Sequence, residues 1–108
     1  MPENTIAEPF NEAADAMHEM AVSKGFYEPV SEDIGLISTK LLLIVSEIVE
    51  HYEAIRKGHG FAKEAEELAD VIIRLFDYAA WRDLDIDSVI AAKMAINAER
   101  EHKHGARF

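Results

Sequence analysis

The three prolines of this 108-residue chain fall at positions 2, 9 and 29, and none follows. Proline is the residue that most reliably interrupts a helix, because it lacks the amide donor and its ring clashes with the preceding turn. From residue 30 onward nothing of that kind breaks the chain. No stretch alternates apolar and polar residues over a useful strand length, and there is no repeat or low-complexity tract. The chain therefore reads as all-α: one domain over residues 1–108, an antiparallel four-helix bundle with short connections.

The first helix is expected from about Pro9 to Lys24. Pro9 suits its first turn, Phe10, Ala13, Ala14, Met17 and Ala21 form its apolar stripe, and Gly25 ends it. "FYEPVSED" connects it to a second helix that begins near Ser31. Ser31 is a natural N-cap, with Glu32 and Asp33 in the positive first turn. This helix runs to Arg56 and Lys57, with Gly58 as the stop and Leu41, Ile44, Val45, Ile48, Tyr52 and Ile55 as its core stripe. The third helix spans about Ala62 to Asp83. After "DLDID", Asp85 or Asp87 caps a fourth helix reaching about Glu101, before the tail "HKHGARF". On the third helix Val71, Ile72, Ile73, Leu75, Phe76, Ala79 and Ala80 cover more than half the circumference. A single bundle layer buries only a stripe, so the excess predicts self-association.

Composition narrows the classes. Hydrophobic residues make up 49% of the chain, enough for one core, and there is no cysteine for a disulfide or a thiolate metal site. "MPENTIAEPF" lacks a basic start and an apolar run, so no signal peptide is expected, and no segment approaches the roughly 20 apolar residues of a membrane span. A soluble, cytoplasmic protein is the default expectation. The net charge of −10 disfavours a nucleic-acid polymer as partner, since that requires basic surface. It leaves room for a nucleotide, because a divalent cation can stand between protein carboxylates and phosphates.

"SEIVEHYEA" sets Glu47 and Glu50 one helical turn apart, and "EELADVI" repeats the spacing with Glu67 and Asp70. Like charges at that distance cost a few tenths of a kcal/mol in an exposed helix. Each pair alone is accounted for by a solvated face, with Asp70 and Arg74 as an i,i+4 ion pair. Two such pairs on consecutive antiparallel helices, however, can bring four carboxylates into one volume. That arrangement is repulsive without a cation and suits Mg²⁺, a hard ion bound by carboxylates, waters and phosphates. On the fourth helix Ile86, Val89 and Ile90 mark the inward stripe. Lys93, Asn97, Arg100 and His104 continue it within about 60° of arc. Either the long side chains reach water at a bundle end, or the patch holds an anionic ligand with many oxygens, such as a triphosphate.

"KLLLIVSEIVEHYEAIRKG", "EAEELADVIIRLFDYAAWRDLDID" and "AAKMAINAERE" together resemble the MazG-like nucleotide pyrophosphohydrolases of the all-α NTP pyrophosphatase superfamily. The resemblance covers about residue 36 to the end. It rests on an ordered set: a Glu-x-x-Glu helix, a Glu-x-x-Asp helix, then Lys, Asn and Arg at i, i+4 and i+7. It implies hydrolysis of a nucleoside triphosphate between the α and β phosphates, giving a monophosphate and pyrophosphate, in nucleotide-pool house-cleaning. Glu47, Glu50, Glu67 and Asp70 would hold Mg²⁺, with Mn²⁺ as a substitute, and one of them would act on the attacking water. Lys93, Asn97 and Arg100 would bind phosphates, with Lys40 as a further candidate. The resemblance further implies a homodimer or a dimer of dimers.

His18, Phe26, Tyr27 and Trp81 are candidates to contact the base. The related dUTPases and phosphoribosyl-ATP pyrophosphohydrolases share the acidic-helix chemistry. A di-iron bundle needs two Glu-x-x-His motifs and finds one, Glu99 with His102. From another class, the rival is a non-catalytic helical interaction module whose carboxylates only keep it soluble.

Overall fold

The computed structural model describes residues 7–27 and 34–100. It consists of four helices, α1 (Pro9–Ser23), α2 (Ile34–Arg56), α3 (Phe61–Trp81) and α4 (Ile86–Ala98), with no strand among the described residues. The expected cap at Ser31 and the tail from residue 101, with His102 and His104, lie outside the described residues. No helix is long and apolar enough to cross a membrane among the residues described.

Three helix ends close in the same way. After α1, α2 and α3 the chain turns through a left-handed residue, Gly25 (φ 81°), Gly58 (φ 67°) and Asp83 (φ 57°). The next amide then reaches back to the last turn: Phe26 N–H to Ala21 O, His59 N–H to Ala54 O and Leu84 N–H to Ala79 O. This is the Schellman closure, and glycine is the residue that adopts it without a Cβ penalty. The two glycine stops were legible as such. At Asp83 an ordinary L-residue accepts the strained conformation and ends α3 two residues before the expected boundary.

The N-termini of α1 and α4 cap each other. Glu8, the N-cap of α1, makes no side-chain cap bond. Asp87 of α4 supplies it instead, accepting Phe10 N–H at 3.2 Å and Asn11 N–H at 2.7 Å. In return Asn11 Oδ1 accepts the first amide of α4, Ile86 N–H, at 3.0 Å, while Asn11 Nδ2 donates to Asp85 Oδ1 at 2.9 Å. Asp85 also accepts Ser88 N–H. Bonds from Asn11 and then Ser88 hold the Asp85 carboxyl below the ordinary carboxylate range. Of the two aspartates considered for capping α4, Asp85 does so and Asp87 caps α1.

α3 is the middle element: α1 and α2 each pack along it, and α4 leans on α1. Both flanking helices run antiparallel to α3, since Phe10 meets Phe76 while Met17 and Met20 lie against Ile73, and Lys40 lies near Asp77 while His51 lies beside Glu64. Where α1 meets α3, Ala21 packs with Tyr27 and Trp81, flanked by Leu36, Ile37 and Tyr78.

The core stripe expected on α2 is corrected by the structure. Of its six residues only Ile44 is buried; Leu41, Val45, Ile48, Tyr52 and Ile55 are 44–59% exposed. The side of α2 that faces α3 is instead Lys40, Ile44, Glu47, His51 and Ala54, also spaced i, i+4, i+7, i+11, i+14. The helix is apolar around so much of its circumference that two stripes satisfy the helical period. The fold turns the more polar one toward α3.

Candidate functional site

The inward stripes of α2 and α3 place acidic side chains opposite one another. Oxygens of Glu47, Glu50 and Glu67 all lie within 4.8 Å of each other. Glu67 is buried, Glu47 half-buried and Glu50 exposed. Asp70 stands outside this group of three, but borders the same cavity as Glu47. Its charge adds to the field on Glu50. The Glu50 carboxyl is pushed above the ordinary carboxylate range, first by the charge of Glu47, then by its hydrogen bond to Glu47, with smaller contributions from Glu67 and Asp70. Glu50 therefore feels the charge of the other three acids singled out by spacing.

Two cations moderate the cluster. Arg74 Nε donates to Glu47 Oε1 at 2.8 Å, and Lys63 Nζ approaches Glu67 Oε1 at 3.0 Å. That contact holds the Lys63 ammonium above its usual range. Arg74 thus reaches across to α2 rather than forming the intrahelical pair with Asp70 considered from the sequence. On the far side of the cluster His51 Nδ1 lies 3.1 Å from the carbonyl of Glu64.

One turn along α3 from Arg74 is a residue the sequence reading missed. Asp77 is buried, with the Tyr27 hydroxyl donating to Oδ2 at 2.7 Å and His18 Nδ1 2.9 Å from Oδ1. Burial, followed by that bond to Asp77, pushes the Tyr27 hydroxyl above its ordinary range. Lys40 lies over the Tyr27 ring, its Nζ 3.9 Å from the centroid, and donates to Phe26 O at 2.9 Å. Burial lowers the Lys40 ammonium. The available signal was an aspartate in register with Glu67, Val71, Arg74 and Trp81 on the inward side of α3.

A cavity of about 190 Å³ joins the two groups, with Glu47, Asp70, Arg74 and Asp77 on its polar side. Among the base-contact candidates, Phe26 lines this cavity and is exposed. His18 and Tyr27 are bound to Asp77, and Trp81 lies in the apolar cluster with Ala21. Lys40 is engaged with Phe26 and Tyr27. Lys93, Asn97 and Arg100 are exposed on or just after α4, whose stripe residue Val89 is exposed too. None of the three lines the cavity beside the acids. The chain brings Glu47, Glu50 and Glu67 together with Asp70 at the edge of the same cavity, and leaves Lys93, Asn97 and Arg100 apart from that cavity.

No protein-family model, curated protein or solved structure matches the chain.

Proposed function

We propose that this chain is a Mg²⁺-dependent nucleoside triphosphate pyrophosphohydrolase of the MazG-like kind, working as a homo-oligomer. The observation that carries the reading is the approach of Glu47, Glu50 and Glu67 to within 4.8 Å, with Glu50 raised by its acidic neighbours. Such a cluster stores repulsion that a cation relieves. The donor set is carboxylate oxygen alone, which fits a hard divalent ion, Mg²⁺ or Mn²⁺, better than a softer one. Glu47, Glu50, Glu67 and Asp70 would hold it. When bound, such an ion supplies Lewis acidity toward a phosphoryl oxygen and lowers the pKa of water.

The chain's own residues account for the rest. Glu50 is the exposed member of the cluster, within reach of water, so it is the residue we assign to the proton of the attacking water. Arg74 and Lys63 hold Glu47 and Glu67 in place. Lys93, Asn97 and Arg100 present two cations and an amide to substrate phosphates, which they meet in the assembled oligomer, since α4 packs on α1 within a subunit. The exposed seam of Leu41, Val45, Ile48, Tyr52 and Ile55 favours that assembly. Burying what remains exposed is worth roughly 1 kcal/mol per side chain.

The same apolar surface favours a second reading, a helical interaction module without catalysis. Titration with Mn²⁺, followed by electron paramagnetic resonance, separates the two. We expect saturable binding, weakened at least tenfold in Glu50→Gln and Asp70→Asn, and competed by Mg²⁺. Absence of saturable binding up to millimolar metal would leave only the interaction module.

A further inference from the structure

The two cations at the acidic cluster are held differently. Arg74 leaves the middle of α3 and meets Glu47 on the neighbouring helix. Lys63 stands in the first turn of α3 and meets Glu67 of its own helix, one turn on, at 3.0 Å. Helix chemistry does not account for a lysine there. The first turn is the positive end of the helix dipole, where an ammonium is disfavoured. Lysine placed before glutamate at i,i+4 is also the weaker order for such a pair. What accounts for Lys63 is the state of Glu67. That side chain is only 11% exposed, and a buried carboxylate is costly to leave without a partner.

Lys63 has a second partner on the water side. Its Nζ lies 3.6 Å from Glu66 Oε2, on a side chain that is 71% exposed. Glu66 is not one of the three acids whose oxygens converge. The lysine side chain is itself 47% exposed and sits on a flexible four-carbon stem. It can therefore give up Glu67 and still keep an ion pair.

Resting on the metal site proposed above, we infer that Lys63 is a tethered counter-ion for that site, which a divalent cation displaces from Glu67 to Glu66. Lys63 neutralises Glu67 and keeps it in place until the ion arrives. Ion and ammonium then claim the same carboxylate and repel one another. The ion carries two charges and draws on several carboxylates, so it prevails, and the ammonium shifts to Glu66. Binding is opposed by the loss of the Lys63–Glu67 contact. The affinity of the site is thereby held below what its acids alone would give, by a residue that never touches the metal.

Mn²⁺ titration of the full-length protein at low ionic strength, followed by electron paramagnetic resonance, reads the exchange without turnover. We expect Lys63→Met to bind Mn²⁺ more tightly than wild type by about threefold or more, the size of a lost exposed ion pair together with the repulsion it carries. Lys57→Met controls for charge alone. It removes a comparably exposed ammonium paired with Glu53, an acid outside the converging three, and should leave the affinity unchanged. Glu66→Gln should weaken binding in the wild-type background, where Lys63 loses its second partner, and weaken it less in Lys63→Met. Unchanged or weaker binding in Lys63→Met would overturn the counter-ion and leave the metal site, as would equal tightening in Lys57→Met. A Glu66→Gln effect as large in Lys63→Met as in wild type would overturn the transfer to Glu66. A wild-type protein without saturable Mn²⁺ binding up to millimolar concentration would remove the metal site itself, and the counter-ion with it.

Discussion

Arg74 on α3 donates from Nε to Oε1 of Glu47 on α2 at 2.8 Å, bypassing Asp70 one turn away on its own helix. The contact ties the middle helix to its neighbour at the point where acidic charge is densest. Arg74→Met should therefore destabilise the protein in EDTA by about 1–2 kcal/mol, a charged hydrogen bond discounted for its partial exposure. Mg²⁺ should narrow the deficit, because the ion takes over the neutralisation of Glu47. Urea melts with and without Mg²⁺ measure both effects. A deficit unchanged by Mg²⁺ would separate Arg74 from the metal site.

Glu50 gives a pH-dependent signature. Its carboxyl is raised in the folded state, chiefly by Glu47. A carboxyl whose folded pKa exceeds its unfolded one binds its proton more tightly when folded. The native state is favoured at pH below the unfolded value, and that advantage is lost as pH rises through the folded one. At neutral pH without metal, Glu50→Gln should melt at a higher temperature than wild type. Below the carboxylate range the difference should vanish, and in Mg²⁺ it should shrink or reverse. Melting curves in EDTA across pH 3–8 provide the comparison; a variant less stable than wild type at pH 7 would contradict the repulsion.

The crossed caps can be broken one at a time. Asp87→Ala removes the acceptor for Phe10 and Asn11 amides and should cost about 1–2 kcal/mol, at the upper end for a cap because the acceptor is charged. Asn11→Ala removes the bonds to Ile86 and Asp85. The double variant should lose a different amount from the sum, since the pairs share one junction. Strict additivity in denaturant melts would mean that the two caps act independently.

Asp83 offers a stabilising change. It holds a left-handed conformation at the end of α3, where glycine carries no side-chain penalty. Asp83→Gly should raise stability by about 0.5–1 kcal/mol, read from the urea midpoint. A loss would show that the Asp83 side chain contributes more than its backbone costs.

The helices and their stops were readable because they depend on local chemistry: Gly25 and Gly58 end helices where the sequence put them. The approach of Glu47, Glu50 and Glu67 was readable because spacing fixes the face, whereas Asp70, expected in the same volume, stands outside that group of three. What was not readable depends on a choice between faces. On α2, Leu41–Val45–Ile48–Tyr52–Ile55 and Lys40–Ile44–Glu47–His51–Ala54 obey the same period. Hydrophobicity favours the first as core, and the fold turns the second toward α3. Asp77 was hidden for a related reason, as its value comes from Tyr27 and His18, 50 and 59 residues away in sequence. Asp87 likewise resembled a cap for its own helix and serves another.

The exposed α2 seam carries its own test. Replacing Val45 and Ile48 by Glu puts two charges on an outward face, so each subunit should keep its helix content. We expect wild-type protein to scatter light as an oligomer at micromolar concentration and the variant to shift toward 12.1 kDa. A wild-type mass near 12.1 kDa across that range would show that the seam faces no second copy.

The reaction itself is tested most directly by phosphate release from a panel of NTPs and dNTPs in Mg²⁺, with and without added inorganic pyrophosphatase. We expect phosphate only when the coupling enzyme is present, which identifies cleavage between the α and β phosphates, and no release from Glu50→Gln or Asp70→Asn. Phosphate appearing without the coupling enzyme would place the cut elsewhere. No phosphate from any triphosphate under either condition, with metal-saturated protein, would contradict the assignment of the acidic cluster to catalysis.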